Sequence, residues 1–127
     1  MGKLYTTYIS NMKHIPKGML TAIIMRMPPA SIMKMEDAIH VPQLSPKKEV
    51  LLAYKESEDW DVFVEKFNEQ LYTDDETMQY IELLMEGLDH NDVCLVCCEK
   101  DASRCHRSLI AEYIKTLGYE TEELSNQ

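Results

Sequence analysis

The stretch Val93-Cys94-Leu95-Val96-Cys97-Cys98, read VCLVCC, is a six-residue apolar run set between Asp92 and Glu99. Its length and unbroken apolarity fit a strand buried on both faces, as a central strand of a parallel sheet is. Working outward, residues 4–9 (LYTTYI) are rich in β-formers and predict a first strand. Residues 20–25 (LTAIIM) predict a second. That strand must stop at Arg26-Met27-Pro28-Pro29, because consecutive prolines cannot continue a ladder. Residues 10–18 form a polar connection with room for one helical turn, and residues 30–44 read as loop with a short turn.

Helical signals fill the gap before the central run. Ser45-Pro46 reads as an N-cap followed by proline at the first helical position, and predicts a helix to about residue 55. Ser57 predicts the cap of the next, where Trp60, Phe63, Val64, Phe67 and Leu71 recur at helical spacing. Thr73-Asp74-Asp75-Glu76 is a capping-box pattern for a third, with Met78, Ile81, Met85 and Leu88 as its stripe and Gly87 near its end. After the central run, a last amphipathic helix is predicted over residues 104–117. It turns Ile110, Tyr113, Ile114 and Leu117 inward and ends at Gly118. Residues 119–124 predict a short edge strand. These aromatic and methionine stripes read as core. Strands separated by helices predict one three-layer α/β domain over residues 1–127, with a mostly parallel, Rossmann-like sheet flanked by helices.

Composition narrows the function. A chain of 127 residues, 45% hydrophobic, is the size of one domain with a real core. No run of about 18 apolar residues is present, so no membrane span is expected. The opening MGKLYTTYIS lacks the apolar region of a secretion signal, and a cytoplasmic protein with reduced thiols at its four cysteines is expected. The net charge of -9 is uneven: residues 1–48 hold seven Lys/Arg against Glu36 and Asp37, while the rest holds six against twenty acids. A long nucleic acid needs a basic footprint that this balance opposes, whereas a small anion at a local basic site does not. No sequence signal sets the oligomeric state.

Directly after the central run comes CCEKDASRCHR, residues 97–107, and four readings compete for it. As a metal site it is unconvincing. Cys94 and Cys97 have zinc-like spacing but lie inside a strand, Cys105 and His106 are adjacent, and His14, His40 and His90 are scattered. No metal and no cofactor are therefore expected. As a catalytic thiol, Cys98 to Arg104 has the C-x5-R spacing of cysteine phosphatases and rhodaneses. Its loop, however, carries two carboxylates and no glycine, which opposes an anion cradle. As an anion site without a reactive thiol, Arg104 and Arg107 lie one helical turn apart at a helix start, and Arg26 arrives from the neighbouring strand end. Glu99 and Asp101 then orient arginines or accept hydrogen bonds from a ligand's ribose or base. The fourth reading is structural: His106 a satisfied core histidine, Cys105 a packed thiol, Arg107 an ion pair with Glu99 or Asp101. In a parallel sheet the carboxyl ends of the strands gather such segments, with Ser10-Asn11, residues 26–31 and residues 99–107 meeting there.

Residues 96–113, VCCEKDASRCHRSLIAEY, closely resemble the C-terminal signature of the domain-of-unknown-function 488 family. Cys97 stands at the family's cysteine, Cys98 where a small residue is usual, then Glu99, then Cys105-His106-Arg107-Ser108-Leu109. Residues 5–11 resemble the family's first strand and its following Ser/Asn, and Arg26, Pro28 and Ser31 its Arg-x-Pro segment. The resemblance implies a polar set of Ser10, Arg26, Glu99, Cys105, His106 and Arg107. It also makes the C-x5-R spacing incidental, and it implies a fold and a site rather than a reaction.

The favoured expectation is a protein that binds, and as an extension hydrolyses, a small phosphorylated or nucleotide-like ligand. Ser10, Arg26, Arg104 and Arg107 would bind it. Glu99 would orient it or act as general base, with His106 or Cys105 supporting the chemistry. The alternatives are a non-catalytic binding or adaptor module and, less favoured, a cysteine-dependent phosphatase or sulfurtransferase.

Overall fold

The structure, a computed structural model, describes residues 1–33 and 38–124. Its elements are β1 (Leu4–Tyr8), β2 (Leu20–Ile23), α1 (Ala30–Met33), β3 (Ala38–His40), α2 (Lys48–Ser57), α3 (Trp60–Thr73), α4 (Asp75–Leu88), β4 (Val93–Cys97), α5 (His106–Thr116) and β5 (Thr121–Glu123). Short 3-10 turns occupy Ile9–His14, Pro42–Leu44 and Ala102–Arg104. The strands form one parallel sheet in the order β3-β2-β4-β1-β5.

The VCLVCC run takes the central place expected of it. β4 pairs with β1 from Leu4 opposite Val93 to Tyr8 opposite Cys97, and with β2 from Leu20 opposite Val93 to Ile23 opposite Val96. All five of its residues are buried. Alternation along the strands splits them between two layers. Leu4, Ala22, Ile24, Val93, Leu95 and Cys97 face Phe63, Phe67, Leu71, Ile81, Leu84, Leu88, Ile110 and Ile114 of the helices. Ile23, Met25, Cys94 and Val96 face Met12 on the 3-10 turn after β1, with Ile9 and Ile15 packed beside it. The result is a three-layer α/β domain, thick on the helix side and thin on the other. Full burial of a side chain such as Phe67 contributes about 1.5–3 kcal/mol, and the helix-side layer holds most such residues.

Several local expectations shift. Ser45 does not cap α2: its hydroxyl turns back to the Pro42 carbonyl and ends the preceding 3-10 turn, and Lys47 precedes the helix without a side-chain cap. Asp59 rather than Ser57 caps α3, and Asp74 rather than Thr73 caps α4, because these residues stand directly before the helices, where their carboxylates accept from the Asp61 and Thr77 amides. Thr73 instead closes the last turn of α3 onto Glu69. The inner face of α4 is Thr77, Ile81, Leu84 and Leu88, with Met78 exposed. The inner face of α5 is Arg107, Ile110 and Ile114, with Leu117 exposed. The last helix also starts two residues later than predicted, after the 3-10 turn. Gly118 follows it with φ +100°, where an L side chain is strained. β3 is a strand where a loop was predicted. It is three residues long at the sheet edge, with Ile39 half exposed, too short to leave a pattern. Part of the same stretch, 34–37, lies outside the described residues.

Candidate functional site

β2 and β4 end side by side, and α2 and α3 lie over those ends. Between them is a cavity of about 260 Å³. Its polar edge comes from Arg26 after β2, from Cys98 and Glu99 after β4, and from Arg104 in the 3-10 turn; Cys105 and His106 line it from the start of α5. Its apolar wall comes from Leu51, Tyr54, Trp60 and Phe63. The rings are packed against one another: Trp60 stacks on Phe63 at 4.6 Å between centroids, and Tyr54 meets Trp60 edge-on at 5.6 Å. The Arg104 guanidinium sits 6.0 Å from the Trp60 ring, close enough for a cation–π contact. Arg26 donates from Nε to the Pro46 carbonyl at 3.0 Å, which leaves the end of its guanidinium for other acceptors.

Behind this edge lies a second polar group, wholly enclosed. Arg107 is fully buried. Its Nε and Nη2 donate to the two oxygens of Glu123 at 3.0 and 2.9 Å, a bidentate pair. Nη1 donates to the Cys97 sulfur at 3.2 Å and to the Glu99 carbonyl, and Nη2 also to the Lys100 carbonyl at 3.2 Å. A guanidinium has five N–H groups, so every one is used. Arg107 ties α5, β5 and the loop after β4 together. Its charge is met by Glu123, not by Glu99 or Asp101, and no donor remains for a ligand. Thr6 donates to Glu123 at 2.6 Å from the other side.

His106 sits between the two groups. Its Nε2 is 2.7 Å from the Ile24 carbonyl, which fixes the proton there and leaves Nδ1 as an acceptor. Nδ1 lies 3.8 Å from the Cys105 sulfur, and the ring meets Phe67 edge-on. Burial, above all, lowers the His106 pKa to about 4, with the nearby Arg107 adding to the effect and the Ile24 carbonyl opposing it. The ring is neutral at neutral pH.

The cysteines divide in two. Cys97 and Cys105 have their sulfurs paired as in a disulfide, with Cα atoms 7.6 Å apart. This corrects the expectation of four reduced thiols: the 3-10 turn at Ala102–Arg104 brings the chain back so that the last residue of β4 meets the residue before α5. Cys94 and Cys98 are free. Burial raises the Cys94 thiol to about 12, so it stays protonated, whereas Cys98 is exposed at the cavity edge.

Of the residues singled out in the sequence, Arg26, Glu99, Arg104, Cys105 and His106 come together, and two do not join them. Arg107 is turned inward. Ser10 is exposed on the 3-10 turn after β1 and lines no part of the cavity. The loop also weakens the phosphatase reading: Asp101 accepts from the Ser103 amide at 3.0 Å and the Ser103 hydroxyl at 2.6 Å, so a carboxylate already occupies a donor that an oxyanion would need. Sequence reasoning missed Glu123 and the aromatic wall. Alternation in a short edge strand and a core-like stripe were the only signals, and neither points to a site.

The family model described as the active DUF488-N3 subclade matches residues 4–118, which takes in both polar groups except Glu123. Neither the curated proteins nor the solved structures give a match.

Proposed function

The chain belongs to the DUF488 family, and from that premise we propose that its cavity binds, and as a second step hydrolyses, a small phosphorylated or nucleotide-like ligand. The observation that carries this reading is the facing of two kinds of surface. Tyr54, Trp60 and Phe63 offer a flat apolar wall to a base or sugar face, while Arg26 and Arg104 offer cations to a phosphate. At about 260 Å³ the cavity lies just below the usual ligand-cavity range of about 300–1,000 Å³, and suits one base or one sugar phosphate rather than a dinucleotide. Glu99 is exposed beside the arginines, placed to accept from a ribose hydroxyl or to take a proton from water. Neutral His106 and Cys105 form the inner lining, and Arg107 acts only by holding the loop that carries Glu99.

A thermal-shift screen tests this. Nucleosides, nucleoside monophosphates, sugar phosphates and plain phosphate are run against wild type and Arg26→Ala/Arg104→Ala. A ligand at 100 times its Kd stabilises by about 2.7 kcal/mol. For a domain of this size that is a shift of roughly 8–15 °C. One ligand class should shift wild type and not the double variant. Product formation that is lost in Glu99→Gln with the shift retained supports hydrolysis. A shift without turnover in wild type leaves the non-catalytic binding module. No shift with any class, or an equal shift in the double variant, overturns the reading.

A further inference from the structure

Three possible metal ligands converge behind the cavity: the Cys97 sulfur, the Cys105 sulfur and His106 Nδ1 all lie within 4.8 Å of one another. We propose that they form a thiolate–imidazole site for one zinc-class divalent cation, with its fourth position on the cavity side. The proposal is independent of the anion reading, since an ion can sit here whether or not the cavity takes a phosphorylated ligand.

Distance, second-sphere contacts, charge and access each support it. Zinc–sulfur and zinc–nitrogen bonds of about 2.3 and 2.0–2.1 Å set a tetrahedral S···N edge near ~3.6 Å. Cys105 Sγ and His106 Nδ1 stand at 3.8 Å. The Cys97 and Cys105 Cα atoms are 7.6 Å apart, wider than the 4.4–6.8 Å usual for a disulfide. Two thiolates sharing one ion spread to about 3.8 Å between sulfurs, and that backbone separation accommodates them. The contacts beyond the ligands are those of a metal site. His106 gives its other ring nitrogen to a backbone carbonyl at 2.7 Å, which holds the lone pair of Nδ1 toward the sulfurs. Cys97 accepts an N–H from Arg107 at 3.2 Å, which supports a thiolate there. The charge of Arg107 is already matched by its bidentate pair with Glu123, so a dication and two thiolates bring the whole group to neutrality. Cys105 and His106 line the cavity, so the remaining coordination position faces open space rather than core.

Cation binding follows reduction of the Cys97–Cys105 pair: a dithiol reductant supplies two electrons and two protons, leaves as its own disulfide, and yields two thiols. The cation then displaces one proton from each thiol, and the protons leave to solvent; the neutral imidazole gives up none. Three protein ligands with one open position is the arrangement of catalytic rather than structural zinc. The borderline-soft Cys2His donor set selects against magnesium and calcium. The sequence concealed the site because its two sulfurs are eight residues apart, across a strand end and a 3-10 turn, and zinc spacing rules looked at Cys94 instead.

The test uses the full chain, purified under reductant, stripped with chelator, freed of both without oxygen, and titrated with cobalt(II). The expected result is a near-ultraviolet thiolate-to-cobalt charge-transfer band that saturates at one cobalt per chain and is bleached by one equivalent of zinc. Cys97→Ser and Cys105→Ser should each lose it or halve its intensity, and Cys98→Ser should leave it unchanged. If the serine variants do not fold, the wild-type band still decides, because two thiolates give about twice the intensity of one. Absence of the band in reduced wild type, a band of one-thiolate intensity, a band unchanged in Cys105→Ser, or a band lost in Cys98→Ser overturns the proposal.

Discussion

Arg104 and Arg107 stand three residues apart, one at the end of a 3-10 turn and the other in the first turn of α5, and the fold treats them in opposite ways. Arg104 is exposed over the Trp60 ring at the cavity edge. Arg107 has no exposed surface and spends every donor inside the protein. The same division runs through the other polar residues. Arg26, Glu99 and Cys98 belong to the edge; Cys97, Glu123 and Thr6 belong to the buried group. A dense polar motif is therefore two structures, one that builds the strand end and one that the strand end presents. A buried cation without partners would cost several kcal/mol, so its partners are obligatory. An exposed cation has no such requirement and stays available for a ligand.

The buried group should give the largest response. Arg107→Ala leaves Glu123 and two carbonyls without their donor and opens a void, and should cost about 3–5 kcal/mol in denaturant unfolding. Arg107→Lys should recover only part of this, because an ammonium cannot reproduce the bidentate fork. A full recovery would reduce the group to a point charge. Glu123→Gln keeps the shape and removes the charge, and should cost less, about 1.5–3 kcal/mol, the worth of hydrogen bonds to a charged group. A neutral effect would mean that the β5 end is free to let Arg107 find other partners. The smallest disturbance separates the two free thiols. A charged maleimide added to the folded protein should modify Cys98 and leave Cys94, whose thiol burial holds at about 12. Mass mapping reads the outcome, and labelling of Cys94 without unfolding would break the division between edge and interior.

The fold was largely legible, because periodicity depends on burial and burial dominates this sheet. VCLVCC identified the central strand, and the stripe Phe63, Phe67 and Leu71 identified the helix beneath which the sheet lies. What escaped depended on contacts distant in sequence. β3 has too few residues and too much exposure to show alternation. Ser45 had the composition of a cap but answered to Pro42. For the candidate site, the Cys-His-Arg motif pointed to a segment whose Cys105 and His106 line the cavity, and Arg26 and Glu99, expected there from the rule of strand ends, line it as well. The direction in which Arg107 points was not legible, since it hinges on Glu123 sixteen residues later on an edge strand. Nor was the aromatic wall: Trp60 and Phe63 obey core periodicity and line the cavity as well, two uses with one sequence pattern.

The most direct test of the division is the unfolding free energy of Arg104→Ala and Arg107→Ala measured side by side without ligand. Arg104→Ala should fall within about 0.5 kcal/mol of wild type, as exposed substitutions do. Arg107→Ala should lose about 3–5 kcal/mol. Equal losses, or a larger loss at Arg104, would contradict the assignment of one arginine to the cavity edge and the other to the interior.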